Sequence, residues 1–563
     1  MYLSRREFLQ VSLAVSGGLW LSPSALLKAF HAEDLYEFKS LGNVTLLWTG
    51  DLHGHLTPNY YREPENNIGV GDMKGQPPHI TGEALLQRYG LKPRSVEAYL
   101  YTHLDFDRLS KEFGPIGGCA YIAALIRRIR DERPNRVLLM DCGDALQGTA
   151  VALWEKGANM VRVMNAMGYD MMTAHWEFTL GKETLQKRIG EMQFEFLVHN
   201  CFDAEWEERI FKPYTIREQN GLRIGVIGQG FPYVPIAHPR YLIEGWSFGL
   251  RETEVQRLVR TLREDERCDL VVLLSHNGAD VDKKMASRVQ GIDVILGGHT
   301  HDVYIKPLVI NNTIVAQAGA HGKFLGRLDL HVQNKKVQDF RYKLYPILAN
   351  RLQPDPEIEK LITEIRAPYE ERLTENVCHV ATTLYRRDNF WGTMDQFLMK
   401  SIEEAYGADI LLSPGFRWGS SVPAGTEMVA EDVYAATAIT YPKVYTFYLK
   451  GERFKMVLED IADNLFNPDP YYQQGGDMVR TRGISYHLDL TKPVGERIRE
   501  LTVRGKPFDP DKYYKIGNWG GQLYRIGKDA YDPDKPIYEL AIEFGKSIGT
   551  FRLDDEPNLR VTA

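Results

Sequence analysis

Five cysteines in 563 residues, none in a Cys-x-x-Cys pair, exclude both a disulfide framework and a thiolate-rich metal site. Cys119, Cys142, Cys201, Cys268 and Cys378 read as buried thiols. A surplus of positive charge is also missing. With 68 Lys and Arg against 75 Asp and Glu, the formal net charge of −7 gives no whole-chain footprint for nucleic acid or anionic lipid. An anionic ligand must therefore be met by a local site, built from metals or arginines. Uninterrupted apolar runs of the ~20 residues that a membrane span needs are absent too. Disorder is not the default reading, because 44% hydrophobic and 25% charged content is ordinary for a globular chain, and the length is enough for two or more domains with full cores.

The amino terminus is set apart from the fold. Ser4-Arg5-Arg6-x-Phe8-Leu9, followed by a weakly apolar stretch broken by Ser and Gly, resembles a twin-arginine export leader over residues 1–32. A basic amphipathic terminus is the alternative. The leader reading implies a periplasmic location and a protein exported already folded.

Beyond the leader, short apolar β-rich runs alternate with helical patterns, as in layered α/β folds. The chemistry sits just past the end of each run. After NVTLLW come Asp51 and His53; after RVLLM, Asp141 and Asp144; after DLVVLL, His276; after DVILG, His299 and His301. Ligand groups thus collect at the carboxyl ends of neighbouring strands, where open α/β sheets bind. Two aspartates, several neutral imidazoles and no thiolate suit Mn²⁺, Fe²⁺ or Zn²⁺ better than Ca²⁺ or Mg²⁺, which prefer oxygen alone. A lone histidine at a strand end is usually a satisfied core residue; these four and His175, at the end of the short strand in MMTAHWEFTLG, together with carboxylates are not.

These residues carry a resemblance. DLHGH at 51–55, GD at 143–144, SHNG at 275–278 and GGHTHD at 297–302, with QAGAHGKFLGRLDL beyond them, look like the dinuclear metallophosphatase domain of the 5′-nucleotidase family. WGTMDQFLMKSIEEAYGADILLSPGFRWGSSVPAG at 391–425 resembles that family's substrate-binding domain. The resemblance implies a metallophosphatase-type α/β β-sandwich flanked by helices, joined by a helical linker to a smaller α+β domain. Carried over by position, one metal takes Asp51, His53 and His301, the other takes His276 and His299, and Asp144 bridges them. Asn200, in LVHNC, falls near a family strand end bearing asparagine and is a substrate-side candidate.

MMTAHWEFTLG, residues 171–181, departs from the pattern. Where the family has Asn-His-Glu-Phe-Asp, this chain has His175-Trp176-Glu177-Phe178-Thr179. His175 still supplies a nitrogen donor and completes the second metal site. The following histidine, which assists phosphate-ester cleavage in the family, is replaced by Trp176, which cannot transfer a proton, and its aspartate partner by Thr179. A second departure agrees. The family stacks a nucleobase at a Gly-Gly-Phe motif, whereas YYQQGGDMVR places Asp477 after Gly475 and Gly476. Tyr471, Tyr472, Phe390 and Trp391 are the remaining aromatic candidates for a cleft or for packing.

Both departures, with the leader and the length, resemble the periplasmic thiosulfohydrolase branch of the family. That resemblance implies two manganese ions, and hydrolysis of a sulfonate from a cysteine S-thiosulfonate on the carboxyl-terminal arm of a carrier protein, SoxYZ, with sulfate released. A –SO₃⁻ group is a tetrahedral oxyanion like phosphoryl, so a metal-bound hydroxide can attack sulfur in line. The leaving persulfide anion is stable near neutral pH and needs little protonation, so the lost dyad is dispensable. A periplasmic 5′-nucleotidase or other phosphomonoesterase is the alternative.

Asp144, Arg417 and Trp176 are the residues expected at the reaction itself. Arg417, in SPGFRWG, matches the family arginine that reaches the anionic substrate; an interdomain salt bridge is its other reading. Arg386 and Arg387, in LYRRDN, lie where the family places further substrate arginines. Asp141 is expected to cap a turn or support a ligand, and His55 and His321 to orient ligands. The expected division is a catalytic domain at 33–345 with a long insertion near 57–116 that forms a cap, a linker helix at 346–376 and a substrate-binding domain at 377–563. A monomer is expected.

Overall fold

Among the described residues, fourteen strands build the amino-terminal lobe: β1 Val44–Thr49, β2 Val137–Asp141, β3 Met171–Met172, β4 Glu195–Phe196, β5 Cys201–Asp203, β6 Tyr214–Gln219, β7 Leu222–Gln229, β8 Trp246–Phe248, β9 Leu270–Ser275, β10 Val294–Gly297, β11 Leu308–Ile310, β12 Thr313–Gln317, β13 Phe324–Gln333 and β14 Lys336–Pro346. This is a computed structural model, and it describes residues 35–555 and 557–563; the twin-arginine motif lies outside the described residues. Twelve of the strands form two six-stranded sheets, one ordered β14-β13-β1-β2-β3-β4 and the other β11-β12-β10-β9-β7-β6, while β5 and β8 pair antiparallel as a separate ribbon.

The inner strands are apolar along their whole length, and all six residues of β1 and all six of β9 are buried. Such continuous burial is what parallel strands covered on both faces require. Accordingly β1, β2, β3 and β4 run parallel, as do β7, β9, β10 and β12, while β13, β14, β6 and β11 close the edges antiparallel. Parallel order sends the carboxyl ends of β1, β2, β3, β9 and β10 to one rim, the rim that holds the motifs.

After β14 the chain enters a helix, Pro356–Arg366, capped by the Asp355 carboxylate, which accepts hydrogen bonds from Glu357 N and Ile358 N. Helix propensity and Pro at the first turn fit this start. Beyond it lies a five-stranded sheet, with Ile410–Ser413 and Tyr513–Trp519 parallel at its centre. The described residues thus build two sheet-bearing lobes of mixed α/β order, and Gly42–Ala563 form one compact unit.

Residues 57–116 fold as short helices, including Gly82–Tyr89, Val96–Tyr101 and Phe106–Phe113. The segment ties both lobes together: Asn67 Nδ2 donates to Asp302 Oδ1 at 2.8 Å, and Ile68 N to Asn389 Oδ1 at 2.6 Å. All five cysteines are buried and unpaired. Among the described residues, no helix is long and apolar enough to cross a membrane.

Candidate metal centre and cavity

Each candidate ligand sits on the short turn that leaves a strand. Asp51 and His53 follow β1, Asp144 follows β2, His175 follows β3, His276 follows β9, and His299 and His301 follow β10. Five of these seven, Asp51, His53, Asp144, His299 and His301, have left-handed backbone, with φ between 46° and 76°. Left-handed non-glycine residues cost free energy and persist where the surroundings over-determine them, which is common at functional sites. Gly298 allows the crowding: a Cβ there would lie 2.9 Å from Asp51 Oδ2.

The turns bring the side chains into two buried groups. Asp144, His175, His276 and His299 form one, and Asp51, His53 and His301 the other, the donor atoms of each lying within 4.8 Å of one another. In the first, His175 Nδ1 and His276 Nε2 each lie 3.1 Å from Asp144 Oδ2 and 3.2 Å apart. In the second, His53 Nε2 and His301 Nε2 face each other at 3.1 Å, and Asp51 Oδ1 is 3.4 Å from His301 Nε2. Asp144 Oδ2 is also 3.6 Å from His53 Nε2, so this carboxylate stands between the groups.

Ring nitrogens facing one another at such distances need a shared cation or proton. Burial opposes charge on His276, but the carboxylates of Asp144 and Asp51 outweigh it and raise its pKa to about 10. Burial lowers His53 to about 4 and raises Asp51 to about 6. The nearby His175 and His276 hold Asp144 well below the carboxylate range despite its burial. Carboxylates that draw a proton onto a fully buried imidazole make a site in which a divalent cation fits in the proton's place. The two clusters fit a dinuclear metallophosphatase centre, with nitrogen and oxygen donors and no sulfur.

The HWEFT stretch folds as a tight turn, Trp176–Leu180. Trp176 N donates to Asp144 Oδ1 at 2.6 Å, while the Thr179 hydroxyl is turned back onto Trp176 O. Glu177, which sequence reasoning missed, is fully buried and accepts hydrogen bonds from the backbone N–H of Asp144, Ala145, Leu146 and His175. It locks the two ligand-bearing turns together. Its signal in the sequence is that the family's glutamate is retained while positions 175, 176 and 179 around it change.

A cavity of about 320 Å³ opens beside the first cluster, lined by Asp144, His175, Trp176, His238, His299, His301, Phe416, Arg417, Trp418 and the 474–477 loop. Trp176 packs edge-on against Phe416 at 5.0 Å and Trp418 at 5.9 Å. Arg417 donates through Nη2 to Gly476 O and through Nε toward Asp477 Oδ1 at 3.4 Å, and its buried Nη1 has no protein partner.

Other sequence-predicted residues are placed elsewhere. Arg386 is fully buried, paired with Asp395 and bonded to the carbonyls of Ala436 and Pro414. Arg387 pairs with Asp302 and Asp477, and Asn200 ties Gly230 to Gly249. None of the three lines the cavity. Asp477 is held by Arg387, Arg417, Arg480 and Asn389, and these arginines keep its carboxyl ionised despite burial. Phe390, Trp391, Tyr471 and Tyr472 do not line the cavity either; the Tyr471 hydroxyl donates to Glu252.

Asp141 caps the turn after β2, accepting from Thr49 Oγ1 and Gly143 N. His55 and His321 stack edge-on at 4.1 Å; the His321 backbone N–H donates to Asp51 O at 2.8 Å and its Nε2 accepts from Gly419 N at 3.3 Å. Tyr61 Oη, from the insertion, lies 3.2 Å from His301 Nδ1, and His238 Nε2 lies 2.9 Å from His175 Nε2. Sequence reasoning passes over both because each belongs to no motif and meets a ligand far away in the chain, His301 for Tyr61 and His175 for His238.

Residues 375–521 match the family model described as 5′-nucleotidase, C-terminal domain. The solved structure of sulfate thiohydrolase SoxB from Thermus thermophilus is 38% identical, with a TM-score of 0.90 over 93% of this chain and 98% of that one. Protein UshA of Yersinia enterocolitica is 25% identical over 541 residues, 87% of this chain and 86% of UshA. The trifunctional nucleotide phosphoesterase YfkN of Bacillus subtilis is 25% identical over 485 residues, which cover 75% of this chain and 32% of YfkN's own length.

Proposed function

Since the chain belongs to the SoxB sulfate thiohydrolase family of metallohydrolases, we propose that it removes the terminal sulfonate, as sulfate, from a cysteine S-thiosulfonate carried on the arm of a SoxYZ-type carrier. The bond between the sulfonate sulfur and the neighbouring sulfane sulfur breaks, a water oxygen bonds to the sulfonate sulfur, and the electron pair leaves on the sulfane sulfur as a persulfide.

When bound, two divalent ions supply positive charge for a tetrahedral oxyanion and for the activation of water; manganese is the ion this reading assigns. Asp51, His53 and His301 would hold one ion, His175, His276 and His299 the other, with Asp144 between them. Arg417 presents its free Nη1 to the oxyanion, while Asp477 and Gly476 fix the other guanidinium nitrogens. Trp176, Phe416 and Trp418 wall the reacting sulfur from water. The position after Gly475 and Gly476 bears Asp477, not an aromatic ring, and Asp477 is spent in the arginine cluster.

The observation that carries this reading is Trp176 in the cavity wall where phosphoesterases need a proton donor: a persulfide leaves without one, an alkoxide does not. The same reading assigns periplasmic location, twin-arginine export over 1–32, and the division into a catalytic domain at 33–345, a linker at 346–376 and a substrate domain at 377–563. Sulfate release from a thiosulfonate-loaded carrier, set beside phosphate release from AMP, tests it. Sulfate without phosphate is expected; phosphate without sulfate would overturn it in favour of a nucleotidase.

A further inference from the structure

The loop after β7 places His238 directly behind a candidate metal ligand. Its Nε2 lies 2.9 Å from His175 Nε2, and its Nδ1 lies 3.1 Å from Tyr441 Oη. His175 turns its other nitrogen, Nδ1, toward Asp144 and His276 in the cluster. The two nitrogens of His175 therefore face different partners.

A neutral imidazole carries one N–H and one lone pair. If His175 Nδ1 offers its lone pair to a cation, Nε2 must carry the proton and donate it, so His238 Nε2 must accept. His238 Nδ1 then carries its own proton and donates to the Tyr441 oxygen. A single assignment satisfies all four nitrogens. The reverse would aim a His175 proton into the space shared by Asp144 and His276, where a cation belongs.

The cage around this chain is tight. His238 packs edge-on against Trp176 at 4.5 Å, Trp176 lies parallel to Tyr441 at 6.3 Å, and Phe231 covers His175 at 4.0 Å. His238 is 5% exposed. An asparagine at position 175, as the nucleotidases have, offers an amide oxygen and has no tautomer to select. A histidine there does, and His238 supplies the selection. A neutral imidazole does this without adding charge, whereas a carboxylate partner would offset part of the positive field that draws an anion.

We infer that His238 is a positioning residue that fixes the tautomer and ring orientation of His175, and so sets the affinity of one metal site and not the other. This rests on the reading of the clusters as a two-metal centre. The test is calorimetric titration of Mn²⁺ into chelator-stripped protein. Wild type is expected to fill two sites. His238→Ala should weaken one by about tenfold to a hundredfold, the range for partners behind a metal ligand, and leave the other unchanged. His238→Gln, whose amide oxygen can accept from His175, should recover most of the loss. Tyr441→Phe, which keeps the ring and removes the acceptor for His238, should weaken the same site by a smaller factor and serves if His238→Ala folds poorly.

A double-mutant cycle separates positioning from general damage. With His175→Asn already in place there is no imidazole to orient, so adding His238→Ala should cost nothing further. Equal loss at both sites, no loss at either, or a full additional loss in the His175→Asn background would overturn the inference. A wild-type protein that bound no pair of ions would overturn the metal reading beneath it, an outcome that the variants are not needed to recognise.

Discussion

The hydroxyl of Tyr61 lies 3.2 Å from Nδ1 of His301 and 3.4 Å from the carbonyl oxygen of Arg417. With His301 Nε2 turned to the metal cluster, its Nδ1–H donates to Tyr61, and Tyr61 O–H donates to the Arg417 backbone. One phenol therefore ties a candidate metal ligand to the loop that bears Arg417. Tyr61→Phe should weaken the site holding Asp51, His53 and His301 by about tenfold to a hundredfold and lower kcat/KM as well. Metal titration beside steady-state sulfate release measures both; metal affinity unchanged at both sites would reject the tie.

Asp144 stands between the two clusters, so Asp144→Ala should lose both ions. A ligand at about 100 times its Kd adds about 2.7 kcal/mol to stability. Wild-type protein should therefore melt at a lower temperature in chelator, and Asp144→Ala should melt at the same temperature with or without it. Two ions retained in elemental analysis of that variant would reject the bridging role.

Arg417→Ala should reduce kcat/KM by roughly 1.5 to 3 kcal/mol, the scale of a hydrogen bond to a charged group. Its loss leaves Asp477 still paired with Arg387, Arg480 and Asn389, so thermal stability should change little. Full activity with a lowered melting temperature would make Arg417 an interdomain strut instead.

The α/β order and the strand-end clustering were legible because each ligand follows an apolar run within a few residues, so local pattern alone places Asp51, Asp144, His276 and His299 at one rim. Partners supplied by another part of the chain were not legible. Arg386 and Arg387 read as substrate arginines by their place in the family pattern, yet each meets a carboxylate, Asp395 or Asp302, that sequence spacing cannot match to it. Burial then consumes their donors. His238 and Tyr61 escaped for the same reason in reverse: nothing local marks a loop residue that touches a ligand more than 60 residues away.

His199, fully buried beside Gln229, has its pKa lowered by burial to about 4 from an ordinary 6.5. The unfolded chain binds this proton more readily than the folded one. Stability should therefore fall as pH drops from 6.5 toward 4, by about 3 kcal/mol from this residue alone. With both proteins in chelator to remove metal linkage, denaturant titrations at pH 7 and pH 4 should show a shallower loss for His199→Gln. An identical pH dependence would show that His199 is protonated in the fold.

Trp176 takes the place of an acid, and two separate parts of it do separate work. Its backbone N–H holds Asp144 Oδ1 at 2.6 Å, which any residue but proline preserves; its indole packs against Phe416, Trp418 and His238 in the cavity wall. Trp176→Phe should therefore keep both metals and lose activity only modestly, because a smaller ring still excludes water. Trp176→Ala should lose far more at the same metal loading, since it opens the wall to solvent. His175 is different: His175→Ala should deplete one ion and nearly abolish turnover, while His175→Asn should keep much of the occupancy. The pH profile is the sharper test. A persulfide leaving group needs no protonated imidazole, so at fixed metal occupancy the rate should show no falling limb at neutral pH from loss of a general acid. Such a limb at full loading, or a Trp176→Phe enzyme that is fully metallated and inactive, would mean that the reaction draws a proton from this wall after all.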